Sequence, residues 1–189
     1  MYRTLLRDAR FNAFQLKVDH ERAAVTRRGR CELCGGVLHA SPFQRKPRGG
    51  PVELGAKHDV RFSFCCAVDG CRKRHTPPSL RFLGRKVYLG AVVVVISAMR
   101  HGASPARVRQ LRELFGVSRR TVERWREWWK TAFVKSHCWK EAAGVASAAE
   151  VARLPASLLE RFLGDEEERL ILLLRFLGPL TAGSVVHAR

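Results

Sequence analysis

The chain has 189 residues, room for one ordinary domain or two small ones, and its 46% hydrophobic content permits a real core. Thirty-five Lys+Arg against 17 Asp+Glu give a formal charge of +18, which favours a polyanionic partner. The excess is uneven, because residues 141–189 hold five basic and seven acidic side chains and residues 1–140 hold 30 basic and 10 acidic.

Residues 1–30 fit neither the helical nor the strand period cleanly, and a helix or an extended arm is expected, with Asp19–Arg28 as a short helix. The opening MYRTLLRDAR has no apolar core followed by small residues, so no signal peptide is expected. Residues 31–36 read CELCGG, a zinc-knuckle sequence: two thiolates two apart on a turn, with glycine relieving the backbone as it folds around a metal. Val37–His39 would leave the knuckle as a strand. Residues 40–57, rich in proline and glycine, form a loop that is basic at Arg45, Lys46 and Arg48. Alternation at Val60, Phe62 and Phe64 predicts a strand over residues 58–64 that runs into Cys65, Cys66 and Cys71. Asp69-Gly70 supplies a turn, and Arg72, Lys73, Arg74 and His75 return along the next strand.

Six cysteines in a chain read as cytosolic point to metal rather than disulfides. The best ligand set is Cys31, Cys34, Cys66 and Cys71. Cys65 is the alternative to Cys66, since neighbours in a strand face opposite ways and only one can face the metal. His39, His58 and His75 are further substitutes. Four thiolates with no open position would make a structural Zn2+ site, whose binding energy is folding energy.

Arg85–Met99 is a continuous apolar stretch. Its four consecutive valines favour a strand by propensity, but its length and the stop at Arg100-His101-Gly102 favour a buried helix. The run is too short and too flanked by charge to span a bilayer. Pro105, preceded by Ser104, opens the next helix; Gly116 breaks it; Ser118 caps another that starts with two arginines. The pattern G-V-S-x-x-T-V-x-R-W is that of a helix-turn-helix. Leu111, Phe115, Val117, Val122 and Trp125 take the inward positions. Arg112 stands where a small residue usually lets the helices approach. Arg119, Arg120, Glu123 and Arg124 occupy the outer face, where a recognition helix meets base edges. Ser118 and Thr121 suit phosphate contacts near the helix N-terminus, and Arg107, Arg109 and Arg126 suit backbone clamps. Trp125, Trp128, Trp129 and Phe133 make a core stripe; stacking platforms for single strands are the sharper alternative.

Residues 136–164 are alanine-rich, with an isolated Cys138 and a short helix beginning at Pro155. Asp165 caps the last helix, and Gly178-Pro179 stops it. Its leucine-rich face either packs on the Val92–Ile96 helix or forms a partner interface, including a homodimer. The expected architecture is mainly α with a small β zinc ribbon: an N-terminal arm or helix (1–30), the ribbon with its basic inserted loop (31–79), a homeodomain-like three-helix helix-turn-helix domain (80–135) and C-terminal helices (136–189).

CELCGG, then RFSFCCAVDGCRKR-x-TPPS, then a helix-turn-helix, resembles the zinc-ribbon and helix-turn-helix segments of bacterial insertion-sequence transposases and the helper proteins of mobile elements, over residues 31–130. The resemblance implies Cys31, Cys34, Cys66 and Cys71 as zinc ligands and places Arg119, Arg120 and Arg124 on a DNA-facing helix. The 31-residue gap between the cysteine pairs and the Cys65-Cys66 doublet depart from the usual ribbon. Residues 131–189 are too short for a ribonuclease-H-like core; no H-x-H pair or Walker loop is present, and Tyr2 and Tyr88 are the only tyrosines. No enzyme activity is expected. The expectation is sequence-specific duplex-DNA binding in the bacterial cytoplasm, on the nucleoid, with a separate transposase or integrase as partner. The alternatives are a transcriptional repressor, an adaptor that recruits a transposase through its last helix, and an RNA-binding zinc ribbon.

Overall fold

A short helix, α1 (Tyr2–Leu5), precedes α2 (Ala9–Arg28) in the computed structural model, which describes residues 2–45, 47–50, 54–84, 86–99, 104–142 and 146–182. Asp8 caps α2 by accepting from the Arg10 and Phe11 N–H groups at 2.7 and 3.0 Å. The expected arm or ten-residue helix is therefore a 20-residue helix. Its inward face mixes Phe11 and Val18 with buried Asn12, Gln15 and Asp19, so no apolar period marks it.

Five short strands follow: β1 (Leu38–Ala40), β2 (Phe43–Gln44), β3 (Val60–Arg61), β4 (Phe64–Cys66) and β5 (Arg74–His75). β4 is central in an antiparallel sheet of order β1-β4-β5, with Leu38 opposite Cys66 and Phe64 opposite His75. β2 and β3 pair separately. The single strand expected over residues 58–64 is absent. Ala56–Asp59 form a 3-10 turn, and Phe62-Ser63 separate β3 from β4. The alternation misleads because Arg61 and Ser63 are buried while Val60 and Phe62 are half-exposed; of the three apolar positions, Phe64 alone is buried. Arg61 donates to the carbonyls of Pro77 (2.6 Å) and Thr181 (2.8 Å), and the Ser63 hydroxyl contacts the His75 carbonyl.

The valine run forms α3 (Gly90–Ala98), shorter than the expected Arg85–Met99. Before it the backbone is extended: Arg48 N–H donates to the Val87 carbonyl, and Leu89 N–H to that of Arg48. Every residue from Gly90 to Ser97 is buried, as an all-round apolar helix requires. Packing on all sides overrides the strand propensity of valine. The expected stop at residues 100–102 lies outside the described residues.

Around α3 pack α4 (Pro105–Phe115), α5 (Arg119–Trp128), a π-helical turn at Trp129–Phe133, then α6 (His137–Ala142), α7 (Ala148–Ala152), α8 (Ala156–Leu159) and α9 (Glu166–Phe176). Asp165 and Glu168 close α9 with reciprocal capping bonds. Leu170, Leu173, Leu174 and Leu177 enter the same core as Val92–Ile96. A Cβ on Gly90 would stand 3.3 Å from Leu174, so α3 and α9 touch there. The leucine face is thus covered by the chain's own valine helix. One apolar cluster runs from Leu6 to Leu177; a second, small one joins Ala23, Cys31, Leu38, Phe64 and Cys66.

A buried polar network ties the sheet to the helices. Asp19 and Arg81 form an ion pair at 2.9 Å with both side chains fully buried. Asp19 also accepts from the Ser79 hydroxyl and the Leu80 N–H, while Arg81 donates to the carbonyls of His58 and Val60. Burial draws the Arg81 guanidinium down, and Asp19 opposes this. No helix among the described residues is long and apolar enough to cross a membrane.

Candidate metal centre and basic helix face

Two tight turns bring four sulfurs together. In the first, Cys31 N–H donates to the Gly36 carbonyl and Gly35 N–H to that of Cys31, at 2.9 and 2.8 Å, with Gly35 at φ +69°. Gly36 has no room for a side chain. A Cβ there would lie 2.5 Å from Val68, 3.0 Å from the Cys66 Sγ and 3.3 Å from the Cys34 Sγ. The second turn leaves β4 and closes with Cys71 N–H on the Val68 carbonyl at 3.1 Å. The ligand atoms of Cys31, Cys34, Cys66 and Cys71 all lie within 4.8 Å of one another. Cys34–Cys66 and Cys31–Cys71 are 3.4 and 3.7 Å apart, close to the edge of roughly 3.8 Å that a tetrahedron with Zn–S bonds of about 2.3 Å requires.

The structure separates Cys65 from this group. It pairs with Arg74 in the sheet, and its Sγ meets the Arg72 carbonyl at 3.3 Å. Strand alternation explains why: Cys66 takes the buried face and Cys65 the other. None of the three histidines joins the four sulfurs. His39 is exposed, and His58 is buried with Nε2 3.3 Å from the Asn12 carbonyl. His75 places its Nε2 3.3 Å from the Cys31 Sγ, so it braces a sulfur without replacing one.

Crowding sets the thiol acidities. Burial raises Cys31, but the N–H groups of Leu33 and Cys34, with His75, outweigh it and bring the thiol to about 6. The Gly36 N–H pulls Cys34 down, yet the Cys66 sulfur and burial leave it raised. Cys66 and Cys71 also receive backbone N–H groups, from Val68 and Lys73, and still end raised by burial and neighbouring sulfurs. One sulfur ionises readily and the others resist adding charge beside it. A bound cation removes that repulsion, so the donor set fits a metal ion.

The helical pair presents a second feature. Leu111, Phe115, Val117, Val122 and Trp125 are all buried. Gly116 adopts φ +64° at the corner, and Tyr88 donates its hydroxyl to the Gly116 carbonyl at 2.8 Å. Tyr88 also meets Trp125 edge-on at 5.0 Å. Arg112 is exposed, so it does not sit between the two helices. Trp129 and Phe133 are fully buried and Trp128 half-buried, which assigns the aromatic stripe to packing.

The expected DNA-contacting residues divide by exposure. Arg109, Arg119, Arg120, Glu123, Arg124 and Lys73 are exposed; Arg119 pairs with Glu123 at 2.9 Å across one helical turn. Arg48 is also exposed. Arg72 is exposed and pairs with Asp69, and Arg74 is exposed but bonds Ser41 and Ser63. Four others make bonds within the fold. Thr121 is buried against the Ser118 hydroxyl, which itself caps α5. Arg126 donates to the Met99 carbonyl at 2.7 Å, and Arg45 to the carbonyls of Gly84 and Lys86 at 3.1 and 2.7 Å. These bonds stabilise chain ends and loops that lack backbone partners. Lys46 and the Arg107 side chain lie outside the described residues.

Two groups gave no signal in the sequence. Asp19–Arg81 joins residues 62 apart, with no local pattern to connect them. Lys86 places its Nζ 4.0 Å from the Trp128 ring centroid. Burial, then the charge of Arg124, lowers its ammonium to about 8. Comparison with protein families, with characterised proteins and with solved structures finds no match to this chain.

Proposed function

We propose that the chain is a non-catalytic, sequence-specific duplex-DNA-binding protein: a structural zinc ion on Cys31, Cys34, Cys66 and Cys71 orders the sheet, and α4 and α5 act as a helix-turn-helix. The observation that carries this reading is the division of α5. Val122 and Trp125 are buried, while Arg119, Arg120 and Arg124 stay exposed in its N-terminal half. A helix held by its apolar side with arginines outward can enter a major groove, where guanidinium groups suit guanine O6 and N7. The charge of the first 140 residues supports a phosphate grip that weakens with salt. An all-sulfur donor set favours zinc over magnesium or calcium, and a closed four-ligand site favours a structural role. The motif resemblance to insertion-sequence proteins supports a mobile-element context, with catalysis supplied by a separate transposase.

Gel shifts on the DNA flanking its own gene, at two salt concentrations, test the reading. Specific binding that Arg119→Ala with Arg120→Ala abolishes is expected. Equal affinity for random duplex, or specific binding unaffected by the double variant, would overturn it.

A further inference from the structure

A cleft of about 760 Å³ opens where the end of α3, the end of α5 and the α7–α8 corner meet. That size falls in the range of roughly 300–1,000 Å³ typical of small-molecule sites. Arg126, Lys130 and Arg153 line it against one carboxylate, Glu160. Arg153 holds Glu160 with two bonds at 2.7 and 2.8 Å, so that pair is neutral. The net charge comes from Arg126 and Lys130. Arg126 is fixed by its bond to the Met99 carbonyl, which uses one of its five donors. Lys130 follows four residues later and is exposed.

We propose that this cleft is a phosphate-binding site. Two cations side by side on one wall suit a tetrahedral oxyanion that carries more than one charge. A planar carboxylate needs only one guanidinium, as Arg153 with Glu160 illustrates. The phosphate has two sources. Arg119, Glu123 and Arg126 recur at intervals of four and three residues along α5, and Lys130 follows in the π-helical turn at the helix end, where the cleft opens. A DNA strand along that row would bring a backbone phosphate to the cleft; a free phosphate-bearing molecule would fill it from solvent.

The test titrates inorganic phosphate into the metal-loaded full chain at constant ionic strength, with chloride as the balancing anion, and follows the phosphorus NMR line width. Saturable binding is expected. Lys130→Gln and Arg126→Gln each weaken it about tenfold, and Lys17→Gln, an exposed change on α2, leaves it unchanged. Because Lys130 is exposed and makes no hydrogen bond or ion pair among the described residues, its variant answers the question even if Arg126→Gln disturbs folding. In a second arm, Lys130→Gln reduces the salt dependence of duplex-DNA binding by about one phosphate contact when DNA is the source. An unchanged salt dependence with saturable phosphate binding assigns the cleft to a free molecule. Phosphate binding without any DNA binding keeps the cleft and removes the DNA reading. No saturable phosphate binding together with an unchanged salt dependence, or equal weakening by Lys17→Gln, overturns the proposal.

Discussion

The sheet and the helices are held together by different physics. Around α3, a single apolar cluster spans the chain from Leu6 to Leu177, and the valine helix is buried on every side. Around the sheet, the buried cluster holds two large apolar side chains, Leu38 and Phe64, with two cysteines and an alanine. Fully burying such a side chain contributes roughly 1.5–3 kcal/mol, whereas fixing one residue's backbone costs about 1–2 kcal/mol. Two side chains therefore offset the ordering of only a few residues. Three strands and two knuckle turns need another source of stability, and four converging sulfurs supply it when a metal binds, with about 10 kcal/mol or more for such sites. If the four sulfurs hold a metal as proposed, the helices are expected to form without it and the sheet to depend on it.

The largest effect that sharpens this contrast is at the sulfurs. Cys66→Ser should remove metal binding and unfold the sheet, whereas its neighbour Cys65→Ser should keep one metal per chain and near-native stability. Native mass spectrometry with far-ultraviolet circular dichroism reads both. Next is the seam between the regions. Asp19→Asn leaves Arg81 buried without a counter-charge, and a loss of about 3–5 kcal/mol is expected in denaturant unfolding. Replacing both, Asp19→Leu with Arg81→Met, should recover only part of that loss: the stranded charge is gone, but the Leu80 N–H, the Ser79 hydroxyl and the His58 carbonyl lose their partners. On the exposed face of α5, Arg119→Ala and Arg120→Ala should each cost about 1–3 kcal/mol of specific DNA binding while leaving unfolding unchanged.

The smallest effect is a pH response within the helical region. The folded-state ammonium of Lys86 lies at about 8, below its ordinary 10.5. Between those values the unfolded chain binds the extra proton, so stability rises with pH through that window and the burial penalty is fully present below about 8. Unfolding curves from pH 7.5 to 10.5 should show this rise, and Lys86→Met should remove that part of it. A fall in the Lys86-dependent component over the same window would contradict the burial of the ammonium.

Where the core is apolar, the sequence was legible. The break at Gly116, the Ser118 and Asp165 caps, the inward five of α4 and α5 and the buried valine helix all follow from apolar spacing and local end signals. The four cysteines are legible for a different reason, since metal ligands recur in short spacings around a turn; strand alternation then separates Cys66 from Cys65. Where burial is polar, the sequence misled. Helix α2 turns Asn12, Gln15 and Asp19 inward, so its period is invisible, and buried Arg61 and Ser63 beside half-exposed Val60 and Phe62 break the alternation before Phe64. Asp19 and Arg61 are inward because their partners lie far along the chain: Arg81 for Asp19, Thr181 for Arg61. Arg45 and Arg126 carry backbone bonds that the sequence does not signal, since a guanidinium that satisfies orphan carbonyls looks in sequence like any other surface arginine.

Hydrogen exchange on the metal-loaded chain before and after chelation tests the division between the regions most directly. The account predicts that chelation abolishes protection at the paired amides of β1, β4 and β5 while those of Val93–Ile96 in α3 stay protected. Retained protection in the sheet without metal, or simultaneous loss of protection in the sheet and in α3, would contradict it.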